Sequence, residues 1–194
     1  MKRFFFPITA LAALAVLTLG ALPSGAHGTA GGGVLAGLAH PMLGVDHLLM
    51  LIAVGTAASQ LSLLLLPWAF GGGLVGALAG HGGSTAPLME TAAALAIMAV
   101  AALTLVWSQQ RSSHRAITLF SGAVVGAGVA IHGWLHGMEA PADGSTLLWW
   151  AGVLLSSVVI CGGTALLLRR SPQGWGRVVA LSTLMAGGLL ALAS

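Results

Sequence analysis

Six long apolar runs, separated by short polar breaks, occupy nearly all of the chain from residue 34 to its end, and a water-soluble fold cannot be built from that pattern. The runs cover residues 34–58, 61–80, 87–107, 116–138, 146–168 and 175–193. Each is long enough, at about 1.5 Å per residue, to cross the roughly 30 Å of bilayer hydrocarbon as a helix. The breaks fall at Ser59-Gln60, His81 to Ala86, Ser108 to Arg115, Glu139 to Ser145 and Arg169 to Gly174. Only 6% of the 194 residues are charged and 57% are hydrophobic, whereas soluble domains carry about a quarter charged residues. In lipid every backbone N–H and C=O must be satisfied within the segment, so the many Gly and Val residues do not argue against helices. The expected fold is all-α: a polytopic, six-helix transmembrane bundle forming one domain over residues 27–194, embedded in the lipid bilayer.

The first 26 residues have a different pattern. Lys2 and Arg3 precede an apolar stretch from Phe4 to Leu22, followed by Pro23 and Ser24-Gly25-Ala26. That is a secretory signal peptide with small residues before the cut, and cleavage is expected after Ala26; an uncleaved extra span is the alternative. With the new N-terminus outside, Arg111, Arg115, Arg169, Arg170 and Arg177 all fall on the cytoplasmic side, as the positive-inside rule requires. Both mature termini are then periplasmic and the bundle sits in a bacterial cytoplasmic (inner) membrane.

Several functions are excluded. One cysteine, Cys161, permits neither a disulfide framework nor a CxxC motif. The high pI rests on seven Lys and Arg with no basic cluster longer than Arg169-Arg170, so nucleic acid is not a partner. No Walker motif or nucleotide-binding loop is present, so this chain is not itself an ATPase. Gly72, Gly76 and Gly80, and the pairs Gly122-Gly126 and Gly133-Gly137, recur every four residues. At that spacing they are read as close helix packing and given no chemistry.

Polar side chains inside the runs require more explanation, because an ionisable group at mid-bilayer costs about 2.5 kcal/mol or more unless it is paired or used. The first run contains His40, Asp46 and His47. At about 100° per residue on a single helix, His40 and His47 lie within roughly 20° of one face, and Pro41 and Gly44 allow the distortion that would bring in Asp46. The fourth run ends with His132, His136 and Glu139, which fall within roughly 60° on one helical face. Histidines at i and i+4 are a chelating geometry that a carboxylate one turn on extends. The topology puts both groups on the outer half, joined by Glu90 at the start of the third run and by His27 and His81. A cation-collecting outer face follows.

Imidazole with carboxylate and no thiolate suits Ni²⁺, Co²⁺, Zn²⁺ or Cu²⁺ and disfavours Cu⁺, Ca²⁺ and Mg²⁺. A metal-uptake permease, a membrane zinc hydrolase using a metal-bound water and a bis-histidine haem protein all remain open at this level. So does assembly into a homo-oligomer.

The residues also resemble a known family. His40-Pro41-Met42-Leu43-Gly44-Val45-Asp46-His47 fills the pattern HPxxGxDH, and Ile131 to Glu139 fills FHGxAHGxE apart from Ile131 and Leu135, neither of which bears a ligand. These are similar to the two signatures of the HupE/UreJ family, and the resemblance extends over nearly the whole chain. It implies a secondary permease, not an enzyme, that imports nickel, in some members cobalt, for hydrogenase or urease. It implies no permanent cofactor: Ni²⁺ or Co²⁺ is the transported substrate. The expected metal-binding residues are His40, Asp46, His47, His132, His136 and Glu139, with Glu90 nearby and His27 capturing the ion outside.

Overall fold

The computed structural model describes residues 32–81, 83, 88–108, 115–172 and 174–194. Among these, seven helices and no strand occur: α1 (Val34–Leu43), α2 (Val45–Gln60), α3 (Leu65–Gly80), α4 (Met89–Trp107), α5 (Arg115–Glu139), α6 (Thr146–Arg170) and α7 (Trp175–Ala193). Four of them, α4 to α7, are long and apolar enough to cross a membrane. The expected leader, 1–26, lies outside the described residues, as do His27 and Arg111.

The last four runs become helices with ends within two residues of the expected ones. The second starts later than its composition suggests. Ser62 Oγ accepts from Leu64 N at 3.2 Å and the Ser62 carbonyl accepts from Leu65 N at 3.1 Å, so a turn uses the first residues of the run. Pro67 then falls in the first helical turn, where its missing N–H costs nothing. The resulting α3 has 16 residues, about 24 Å of helix.

The first run departs most from expectation. His40 and His47 do not share one face of one straight helix; α1 and α2 are separate helices bent by 81° at Gly44. Gly44 is in an extended conformation, φ −77° and ψ 109°, closing α1 through Gly44 N to His40 O and opening α2. This φ is open to any residue, so glycine is needed here for space. A Cβ at Gly44 would lie 3.2 Å from Cγ and Nδ1 of His47 and 3.4 Å from Asp46 Oδ1, and the missing side chain leaves room for both groups to fold back over the break.

Glycine sets the closest helix packing. A methyl group at Gly72, Gly76 or Gly80 of α3 would strike the carbonyl oxygens of Gly126, Ala130 and Trp134 on α5. One at Gly133 or Gly137 of α5 would strike those of Gly73 and Ala77 on α3. The two backbones interlock reciprocally, and dispersion between them replaces the hydrophobic drive that lipid cannot supply. On the other side of the bundle, Gly37 of α1 abuts the Trp149 carbonyl and Gly152 of α6 abuts the Val34 carbonyl, joining α1 and α6 in the same way.

Between these pairs runs α2, none of whose residues is exposed, with α4 and α7 packed on it and on each other. Met50, Val54, Ile97, Val100 and Val125 form the centre of the core. Thr56, Thr104 and Thr183 are buried but donate to the carbonyls of Ile52, Val100 and Val179, so they leave no unsatisfied hydroxyl. Large apolar side chains such as Leu155, Val159 and Leu167 point outward, which is the favourable direction when the solvent is lipid.

Candidate metal centre

The helix period and the Gly44 break bring two sequence motifs into one site. On α5, the i, i+4, i+7 spacing aligns His132, His136 and Glu139 on the face turned toward α1 and α2. From the other side, His40 lies in the last turn of α1 and His47 in the first turn of α2, so the bend aims two side chains seven residues apart at the same point. One ligand atom each from His40, His47, His136 and Glu139 lie within 4.8 Å of one another. The His40 and His136 ring centres are 4.8 Å apart, and those of His47 and His136 are 4.1 Å apart. His40 Nε2 is 3.0 Å from Glu139 Oε2.

Asp46 and His132 sit beside this group rather than within it. Asp46 Oδ2 is 2.7 Å from His47 Nδ1 and 4.0 Å from His132 Nε2. The His132 Nδ1 nitrogen is 3.3 Å from the Gly128 carbonyl oxygen. A carbonyl can only accept, so Nδ1 carries the proton and Nε2 presents its lone pair to the site. His47 Nε2, His132 Nε2 and His136 Nδ1 are buried without a hydrogen-bond partner. Buried polar atoms are otherwise almost always paired, so unpartnered imidazole nitrogens on His47 and His136 in the ligand group, with that of His132 beside it, are chemically suited to a cation. The histidines are buried, while Asp46 is 31% and Glu139 21% exposed. The carboxylates therefore form the open side of the centre.

Two tryptophans form a wall that the motifs did not reveal. The fully buried Trp149 has its ring centre 4.9 Å from that of His40, and Trp150 lies 6.4 Å from His136. Both stand on α6, and a contact between helices distant in sequence leaves no local periodic signal. Apolar walls around metal ligands exclude competing water and hold the rings in place.

The other expected residues lie elsewhere. Glu90 is exposed in the first turn of α4 and does not join the ligand group. His81 is exposed at the end of α3, on the rim of a cavity that His47, His132 and His136 also line. Asp143, in the turn between α5 and α6, accepts from both the backbone N and the hydroxyl of Ser145. Those bonds hold its carboxyl below the ordinary carboxylate range and commit it to the turn.

The HupE / UreJ protein family profile matches residues 12–194. Protein HupE of Rhizobium leguminosarum bv. viciae is 36% identical over 197 residues, covering 95% of this chain and 93% of that protein. No solved structure matches the chain.

Proposed function

The chain belongs to the HupE / UreJ family, and from that premise we propose that it is a secondary permease. It brings a divalent transition metal, nickel or cobalt, across the bacterial cytoplasmic membrane for hydrogenase or urease, and catalyses no reaction of its own. The observation that carries this reading is the convergence of four ligand atoms from α1, α2 and α5 within 4.8 Å, one of them from the partly exposed Glu139, with the partly exposed Asp46 beside them. Three imidazoles and a carboxylate match the nitrogen and oxygen preference of Ni²⁺ and Co²⁺.

His40, His47 Nε2, His136 and Glu139 hold the ion. Asp46, through His47 Nδ1, fixes the ring orientation, as carboxylates behind metal-bound histidines do. His132 offers a further nitrogen next to Asp46 when the ion moves. In the six-span topology, counting the bent pair α1–α2 as one span and α3 as another, with a cleaved leader 1–26, the centre faces outward. Ions then arrive from the periplasm, gathered by His27, by His81 and by Glu90.

The packing provides a way to move them. Glycine interlocks α3 with α5, and α1 with α6, whereas α6 packs on α3 and α5 at most marginally. His40 rides on one pair and His136 and Glu139 on the other, so a bound ion ties the two pairs together. Their separation pulls the ligand set apart and frees the ion inward, a rocking motion of the kind transporter bundles use around a central site. Accumulation of radiolabelled Ni²⁺ or Co²⁺ by cells expressing the protein, against an empty-vector control, tests this function directly; accumulation of neither rejects it.

A further inference from the structure

The gap between α6 and the α3–α5 pair is a cavity of about 440 Å³. Its wall on α6 runs from Thr146 to Cys161, a length of about 22 Å at helical rise, most of the roughly 30 Å hydrocarbon layer. The inner wall is made by buried side chains, among them Met50, Val54 and Val153. Its rim is made by the exposed Leu74, Leu78, Leu147 and Leu154. The cavity is therefore a cleft open sideways, at the depth where the surrounding medium is lipid tails.

We propose that this cleft binds lipid: one acyl chain of a phospholipid lies along it, against α2 and beneath the histidines. An unfilled apolar cleft forfeits dispersion contacts on every side, and a lipid tail is the apolar group the bilayer presents there at high concentration. The size selects among apolar occupants. Spread along about 22 Å of α6, a cavity of about 440 Å³ is long and narrow, the shape of an extended chain and not of a helix about 10 Å across. A single file of methylenes follows its length. The site stands independently of the metal reading. Where that reading holds, the chain bears on His47, His132 and His136 and keeps water from that side, so ion and water meet the centre only past Asp46 and Glu139.

The test uses the full-length protein in phosphatidylcholine vesicles doped with phosphatidylcholine carrying a diazirine midway along one acyl chain. After illumination the adducts are mapped by peptide mass spectrometry. Lipid tails around the bundle label Leu155 and Val159, which face outward. No residue of α2 is exposed, so adducts at Met50, Leu51 or Val54 require a chain inside the cleft. The expected result is labelling of both groups in the wild type. Ser157→Trp, which fills the cleft from α6, should lower the α2 adducts at least tenfold while leaving those at Val159. If that variant fails to fold, the wild-type pattern alone decides. An unlabelled α2 beside a labelled Val159 overturns the proposal. So does protection of Leu74 and Leu154 in a protein that cross-links as a dimer, because the cleft would then be covered by a second copy.

Discussion

In the proposed centre, single side chains divide into those offered to the ion and those that hold the ones that are. Substituting His40, His47, His136 or Glu139 singly by Ala should abolish most metal uptake while the protein still reaches the membrane, because each offers one of the four clustered atoms proposed to hold the ion. Asp46→Asn keeps the shape of the side chain but removes the charge facing His47. It should weaken Ni²⁺ binding by about 10- to 100-fold without abolishing it, which is the usual cost of losing the carboxylate behind a metal-bound histidine. A titration of the purified variant distinguishes this from outright loss. Acid should also act through the imidazoles. Metal binding requires neutral imidazoles and ionised carboxylates, so protons compete with the metal and uptake should fall as the medium is acidified. Asp143 cannot produce that decline. Its carboxyl is held below the ordinary range by Ser145, so its turn is fully stabilised above that range and weakens only as pH falls through the lowered value. The uptake profile of Asp143→Asn should therefore match the wild type. At this scale the sequence revealed the alignment of His132, His136 and Glu139, because one unbroken helix places them. It predicts His40 and His47 on one face of one helix, whereas the bend at Gly44 brings them close, since a break between two helices cannot be read from a helical period.

Helices explain why the site is assembled where it is. The runs 116–138 and 146–168 were legible to within two residues at each end, because an uninterrupted apolar run in lipid has one available structure. The second run was less so, since the turn at Ser62 to Leu64 depends on local hydrogen bonds that composition does not report. At the break, Gly44→Ala places a methyl group 3.2 Å from the His47 ring. It should displace that ring and reduce Ni²⁺ affinity while leaving helix content unchanged by circular dichroism. Gly76→Leu is predicted to do the reverse. Its side chain meets the Ala130 backbone directly, which cannot yield as a side chain could, so α3 and α5 must part. The expected outcome is loss of folded protein from the membrane, measured by a lower thermal transition in detergent, whereas Gly71→Leu, with open space around it, should be tolerated.

For the whole molecule, the balance of charge predicts an orientation but not an architecture. Arg115, Arg169, Arg170 and Arg177 lie at one end of the bundle and the histidine centre at the other, while the division into two glycine-locked pairs is a tertiary feature invisible in any one run. With Cys161 removed, a cysteine at Ser145 should react with a membrane-impermeant thiol reagent applied from outside, and one at Ser108 should be shielded. The opposite pattern would turn the bundle over and make the protein an exporter. The central claim is that ligands from the two pairs hold one ion together, and the most direct measurement is equilibrium Ni²⁺ binding to purified wild type, His40→Ala, His136→Ala and the double variant. Residues sharing one partner should be strongly non-additive: each single change should weaken binding at least tenfold, with the double scarcely worse than the weaker single. Undiminished binding in either single variant, or losses that simply multiply in the double, would contradict a shared centre.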